Sequence, residues 1–72
     1  MLGEEIRKAR LKSGISQEAL ADKSGLHRTY ISLLERNRKS PTLDTLFRIC
    51  KSLDISVSSL IRKVETERNE NR

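Results

Sequence analysis

The stretch Gln17-Glu18-Ala19-Leu20-Ala21-Asp22-Lys23-Ser24-Gly25-Leu26-His27-Arg28-Thr29-Tyr30-Ile31-Ser32-Leu33-Leu34-Glu35-Arg36 decides the fold. Ser16, just ahead of it, supplies an N-cap oxygen, so a helix is expected over Gln17 to Ser24 with Leu20 and Ala21 inward. Gly25 stops that helix, because without a Cβ it enters the left-handed backbone region at little cost. A second helix is expected from about Arg28 to Arg36, with Ile31 and Leu34 apolar. Two short helices meeting at a wide angle need a small residue where they cross, a glycine in the turn and apolar residues on the buried side. Ala21, Gly25, and the set Leu20, Leu26, Ile31 and Leu34 meet these requirements together. Gly25 alone would mean little; the combination at fixed spacing is specific.

On the N-terminal side, Leu2, Ile6 and Ala9 recur at helical spacing, which predicts a helix from Leu2 to about Lys12 that ends at Ser13-Gly14. On the C-terminal side, Asn37 stands where a helix cap adopts the left-handed conformation, a state Asn tolerates better than most residues. The polar, basic loop Asn37-Arg38-Lys39-Ser40-Pro41 follows. Thr42 then caps a helix over Leu43 to Leu53, with Leu43, Leu46, Phe47, Cys50 and Leu53 expected as one apolar stripe. Ser56 caps a last, short helix carrying Val57, Leu60 and Ile61. No stretch alternates with period two for long, so strands are not expected. The fold class is all-α, a compact five-helix domain over residues 1–64, with a charged tail over residues 65–72 that can extend the last helix but should fray.

Seventy-two residues make one domain, and a chain this short buries only about 60% of its unfolded surface. Its stability therefore depends on helix packing or on a partner. Cys50 is the only cysteine and His27 the only histidine, so neither a disulfide within the chain nor a Cys/His metal site is expected. The formal net charge is +5 and the pI is about 9.9, which suits a polyanionic partner. From Arg28 to Lys39 there are four cations (Arg28, Arg36, Arg38, Lys39) against Glu35, whereas from Arg62 onward four cations face three anions. The excess is thus central. No apolar run approaches the ~20 residues of a membrane span, and no signal-peptide core opens the chain. A cytoplasmic protein with reduced Cys50 is expected.

The sequence resembles the lambda-repressor-like (Cro and XRE-type) helix-turn-helix DNA-binding domains. The resemblance rests on Ile6-Arg7-x-x-Arg10, Gly14-x-Ser16-Gln17-Glu18-x-Leu20-Ala21, Tyr30-Ile31-Ser32-x-x-Glu35 and Ser40-Pro41-Thr42-Leu43, and spans about Leu2 to Ile61. Gly25-Leu26-His27-Arg28-Thr29-Tyr30-Ile31-Ser32 with Glu35-Arg36-Asn37 is also similar to the controller proteins of restriction–modification systems. Two positions depart from the family pattern. Asn37 replaces the usual Gly, and Ser24 replaces a more apolar residue.

The helix from Arg28 would enter the major groove with its N-terminal side chains foremost. Arg28 is the leading base reader, since a guanidinium pairs bidentately with guanine O6 and N7. The resemblance also places Thr29 and Ser32 at base-facing positions, and His27 at the helix start can reach a base or a phosphate. Tyr30 either meets the DNA backbone or covers the core edge, and Leu33 either touches DNA or packs elsewhere. Phosphate contacts hold register without reading sequence. Gln17 resembles the family glutamine that binds a backbone phosphate, at a helix N-terminus where anions are favoured. Arg36, Asn37, Arg38 and Lys39, with Ser40 and Thr42, complete the candidate backbone set. For Arg38 and Lys39 a solvated loop is the plain alternative.

By the same resemblance, Arg10 and Glu35 form an internal ion pair. The family also implies a homodimer on a near-palindromic operator, with half-sites about 10 bp apart and Val57, Leu60 and Ile61 as candidate interface residues. Intramolecular core is the alternative for those three. Such a dimer would act as a repressor or as an activator. A helical protein-interaction module, such as an antitoxin-like partner, is the competing function class. Catalysis is disfavoured, because no base–nucleophile pair stands at useful spacing and no glycine loop cradles phosphate. No cofactor, metal or small-molecule ligand is expected.

Overall fold

The computed structural model describes residues 1–70. Among these the chain forms α1 (Leu2–Lys12), α2 (Gln17–Ser24), α3 (Arg28–Glu35), α4 (Leu43–Ser52) and α5 (Val57–Glu70). Short side-chain oxygens set three of the starts. Ser16 Oγ accepts from the Ala19 N–H at 3.0 Å, Thr42 Oγ1 from Thr45 N–H at 3.1 Å and Ser56 Oγ from Ser59 N–H at 3.1 Å. Each satisfies a donor that a helix start otherwise leaves open. Gly25, at φ +69°, ends α2 in the left-handed region. The neighbour of a Cβ there would be the mobile end of Arg48, so the backbone conformation, not space, is what favours glycine.

The helix-turn-helix pair α2–α3 is held from both sides: α1 packs on α3 and α5, and α4 packs on α2 and α5. Ile6, Leu20, Ala21, Ile31, Leu34, Leu46, Ile49, Cys50, Leu53 and Leu60 form the core. Leu26 and Tyr30 lie partly buried against it. Ser24 is buried as well, and its hydroxyl donates to the Leu20 carbonyl at 2.7 Å, so a polar residue fits a site where the family is more apolar. Burial pushes the Cys50 thiol above its ordinary range, which leaves it protonated and inert as a nucleophile. No helix among the described residues is long and apolar enough to cross a membrane.

The structure corrects two of these expectations. Helix α3 ends at Glu35, with Arg36 as its cap rather than its last residue. The apolar stripe of α4 is rotated: Leu43 and Phe47 are 64% and 54% exposed, whereas Ile49 is fully buried. Leu46, Ile49, Cys50 and Leu53 follow the i, i+3, i+4, i+7 spacing of one helix face, and Phe47 stands about 100° from Leu46 around the axis. Helix α5 runs on to Glu70, so the tail extends the last helix over residues 65–70, while residues 71–72 lie outside the described residues. Glu67 in that extension accepts from the Met1 ammonium at 2.7 Å.

The rotated stripe separates the two apolar faces of α4 by their energetics. Ile49→Ala should destabilise the fold by about 2–5 kcal/mol, the usual cost of truncating a fully buried aliphatic side chain. Phe47→Ser should cost less than about 1 kcal/mol within one protomer. Urea denaturation at a protein concentration low enough to hold protomers apart measures both; equal losses would contradict the burial pattern.

Candidate nucleic-acid interface

A helix that reads DNA must present polar side chains on one arc while its opposite arc is held rigidly. In α3, Ile31, Leu34 and Glu35 are buried. Thr29 and Leu33 lie opposite that stripe, and Arg28 and Ser32 flank it; Arg28 and Thr29 are exposed, Ser32 and Leu33 half-buried. His27 is the N-cap residue of α3, in extended backbone and without a side-chain capping bond. His27 is exposed, and among the described residues no side chain accepts from the first α3 amides. The Arg28 Nε lies 3.9 Å from Glu18 Oε1, with both side chains mostly in solvent at 61% and 77% exposure. An ion pair that long and wet contributes little and leaves Arg28 free to turn to another acceptor.

The rigid side is built from charge. Arg10 Nε donates to Glu35 Oε2 at 2.6 Å and Arg10 Nη2 to Glu35 Oε1 at 3.0 Å, a bidentate pair. The side chains are 9% and 1% exposed. Arg10 Nη1 also donates to the Ile15 carbonyl at 2.9 Å, and Gln17 Nε2 donates to Glu35 Oε1 at 3.1 Å. One buried carboxylate thus joins α1, the loop before α2, the first residue of α2 and the last residue of α3. The hydrogen bond to Glu35 holds the Arg10 guanidinium above its ordinary pKa, against the opposing effect of burial.

The basic loop leaves α3 through two backbone bonds, Asn37 N–H to the Leu34 carbonyl at 3.0 Å and Arg38 N–H to Leu33 at 2.9 Å. Asn37 adopts φ +58°. That pairing is a Schellman cap with Asn in the position usually taken by Gly. Arg38, Lys39 and Ser40 are exposed, and Lys39 Nζ lies 5.9 Å from the centre of the half-buried Tyr30 ring. Arg36 Nε folds back to the Ser32 carbonyl at 3.3 Å.

Of the sequence-derived site residues, Gln17 and Asn37 are engaged across the fold, Thr42 caps α4 as expected, and Leu60 takes the core alternative. Gln17 spends one amide proton on Glu35 instead of standing free for phosphate. The Asn37 side chain accepts from the Gly3 N–H at 2.9 Å. The Thr42 hydroxyl is engaged by Thr45 as a helix cap. Leu60, expected at a subunit interface, is 2% exposed and belongs to the core. Conversely, Phe47 and Ile55 join Cys50, Val57 and Ile61 around a shallow apolar groove between α4 and α5. The sequence carried a signal for Phe47, an aromatic beside the α4 stripe, but assigned it inward. Among the described residues no group of three or more His, Cys, Asp or Glu side chains could hold a metal ion.

An exposed polar arc on a rigidly held second helix, flanked by a cationic loop, defines the class: a helix-turn-helix DNA-binding domain. The chain belongs to the Helix-turn-helix family, which it matches over residues 6–60, and is an XRE/Cro-like DNA-binding transcriptional regulator rather than an enzyme. It is 44% identical over 63 residues to Control protein C.SmaI of Serratia marcescens, covering 88% of this chain and 75% of that one. The wild-type restriction-modification controller protein C.Esp1396I superposes with a TM-score of 0.83 at 41% identity, covering 92% of this chain and 87% of that one. SinR, the master regulator for biofilm formation, solved in complex with DNA, matches with a TM-score of 0.80 at 35% identity, over 85% of this chain and 98% of that one.

Arg10→Met strands the Glu35 carboxylate, 1% exposed, with Gln17 as its remaining side-chain partner. Breaking one side of such a pair should cost about 3–5 kcal/mol, whereas the double variant Arg10→Met/Glu35→Leu should recover most of the loss. Chemical denaturation of both variants followed by circular dichroism checks this. A double variant no more stable than Arg10→Met would show that the pair contributes more than cancellation of two buried charges.

Proposed function

We propose that this chain is the controller of a restriction–modification system, binding a near-palindromic operator as a two-fold homodimer. The observation that carries the base-reading role is the free Arg28 side chain at the start of a helix whose far end is fixed by the buried Arg10–Glu35 pair. Positioning of this kind lets a single guanidinium discriminate, because a bidentate contact tolerates little angular error. Thr29 and Ser32, one and four residues on, share its arc, and His27 stands at the helix start. Arg36, Arg38, Lys39 and Ser40 supply backbone contacts, with Tyr30 at the base of the loop. Gln17 keeps its second amide proton for a phosphate while holding Glu35 with the first. The narrower controller role is supported by the likeness to C.SmaI and C.Esp1396I over most of this chain.

The dimer reading is supported by the apolar surface on the far side of α4 and α5. Phe47 is 54% exposed and Leu43 64%, and both stand on α4. Phe47, Cys50, Ile55, Val57 and Ile61 border one groove. Two copies related by a two-fold axis would bury this patch, with Phe47 rather than Leu60 at its centre. Occupancy of the operator would then rise steeply with protein concentration, since the dimer alone spans both half-sites. Binding at an operator either blocks polymerase or positions it.

Selection from a random duplex pool, with wild type and Arg28→Ala side by side, tests the base reader. The wild type should recover a two-fold motif, and Arg28→Ala should relax preference at one symmetric base pair, at about 1–3 kcal/mol per lost contact. No motif from either protein would overturn sequence-specific regulation. Phe47→Glu should sediment as a monomer at concentrations where the wild type is dimeric, with a melting temperature close to that of wild type diluted until it too is monomeric. A dimeric Phe47→Glu would place the interface elsewhere.

A further inference from the structure

Helix α1 begins without a side-chain cap of its own, because its N-cap residue is Met1. The acceptor comes instead from across the fold. Asn37 Oδ1 accepts from the Gly3 N–H at 2.9 Å, from 34 positions away in the chain. That is the work an N-cap side chain performs on the second helical amide, done here by a residue whose backbone simultaneously closes α3. The approach is close: a Cβ on Gly3 would lie 2.1 Å from the Leu34 carbonyl oxygen and 2.7 Å from Asn37 Oδ1. Only glycine admits the last turn of α3 so near the first turn of α1. A glycine at position 37 would accept the positive φ equally well but could not cap α1. The departure from the family's usual Gly thus has a physical consequence in this chain.

The residues directly after Asn37 are the cations Arg38 and Lys39. The direction in which the loop leaves α3 is set by the Asn37 dihedrals, the Arg38-to-Leu33 backbone bond, and the anchorage of the Asn37 side chain to α1. Lys39 is steadied farther along, over the Tyr30 ring. We infer that Asn37 is a positioning residue for DNA binding: locked to Gly3, it aims Arg38 and Lys39 at the duplex backbone. Its carboxamide oxygen is occupied by α1, and whatever its two Nδ2 protons touch, a neutral amide releases no counterion, so the salt dependence of binding reads the cations it positions and not Asn37 itself. The inference rests on the proposed phosphate contacts of Arg38 and Lys39, and the test separates the two.

The experiment measures binding of the full chain to a fluorescent duplex of random sequence across a salt series, well below the melting temperature of every variant. Each phosphate contact contributes about 0.9 to the slope of log K against log salt. Asn37→Gly keeps the backbone conformation and removes the acceptor. Its slope should fall by about 1 to 2 per protomer, close to that of Arg38→Ala/Lys39→Ala, and adding Asn37→Gly to the double variant should change the slope no further. The Gly3 amide should exchange with solvent faster in Asn37→Gly than in the wild type. A wild-type slope in Asn37→Gly, even with a lower melting temperature, would leave Asn37 as a structural cap and overturn the inference. A wild-type slope in Arg38→Ala/Lys39→Ala would overturn the phosphate reading itself, and the inference with it.

Discussion

The buried pair of Arg10 and Glu35 is the constraint on which the other elements depend. A carboxylate at 1% exposure is tolerable only when its lone pairs are filled, and here two guanidinium nitrogens and the Gln17 amide fill them. Because the guanidinium is planar and forked, it admits few relative orientations of α1 and α3. Apolar side chains of similar volume could bury as much surface while allowing the helices to slide. The pair therefore acts less as a source of stability than as a register mark. Through the Ile15 carbonyl and Gln17 the same charge also fixes where α2 starts.

With one end of α3 tied down in this way, the other end can be left open. The first turn of α3 carries no side-chain cap, and its one charged residue, Arg28, has only the long, solvent-exposed pair with Glu18. A domain this small has little core to spare, and Ile31 and Leu34 are already fully committed to it. Holding the helix from its C-terminal end by charge, and along one stripe by Ile31 and Leu34, keeps its N-terminal half clear for a ligand. The cationic loop follows the fixed end directly, so reading helix and loop share one anchor.

The far side of the molecule shows the opposite economy of polar groups. Helix α4 is apolar over a wider arc than one protomer can cover. Leu46, Ile49 and Cys50 turn inward, while Leu43 and Phe47 remain in solvent. In α5, Leu60 faces the core while Val57 and Ile61 lie at its edge. A face left over in this manner is a natural seat for a second copy, and it lies on α4 and α5, away from the exposed arc of α3.

Much of the architecture was legible in the residues themselves. Ser16, Gly25, Thr42 and Ser56 mark helix ends because capping and left-handed turns are local events, decided by a side chain and its next few amides. The helix-turn-helix was equally legible, since Ala21, Gly25, Ile31 and Leu34 must stand at set distances along one short stretch. Arg28 and the basic loop were read as the contact surface from charge and position, and the pairing of Arg10 with Glu35 from family likeness. What only the tertiary structure decided concerns contacts between residues distant in sequence. Periodicity shows that α4 has an apolar arc but not which edge of it meets α2, so Ile49 and Phe47 were exchanged. Gln17 and Asn37 both carry hydrogen-bonding groups suited to a phosphate. Their other partners, Glu35 and Gly3 across the fold, appear only when the helices are in place, because a hydrogen bond depends on ångströms and sequence spacing does not.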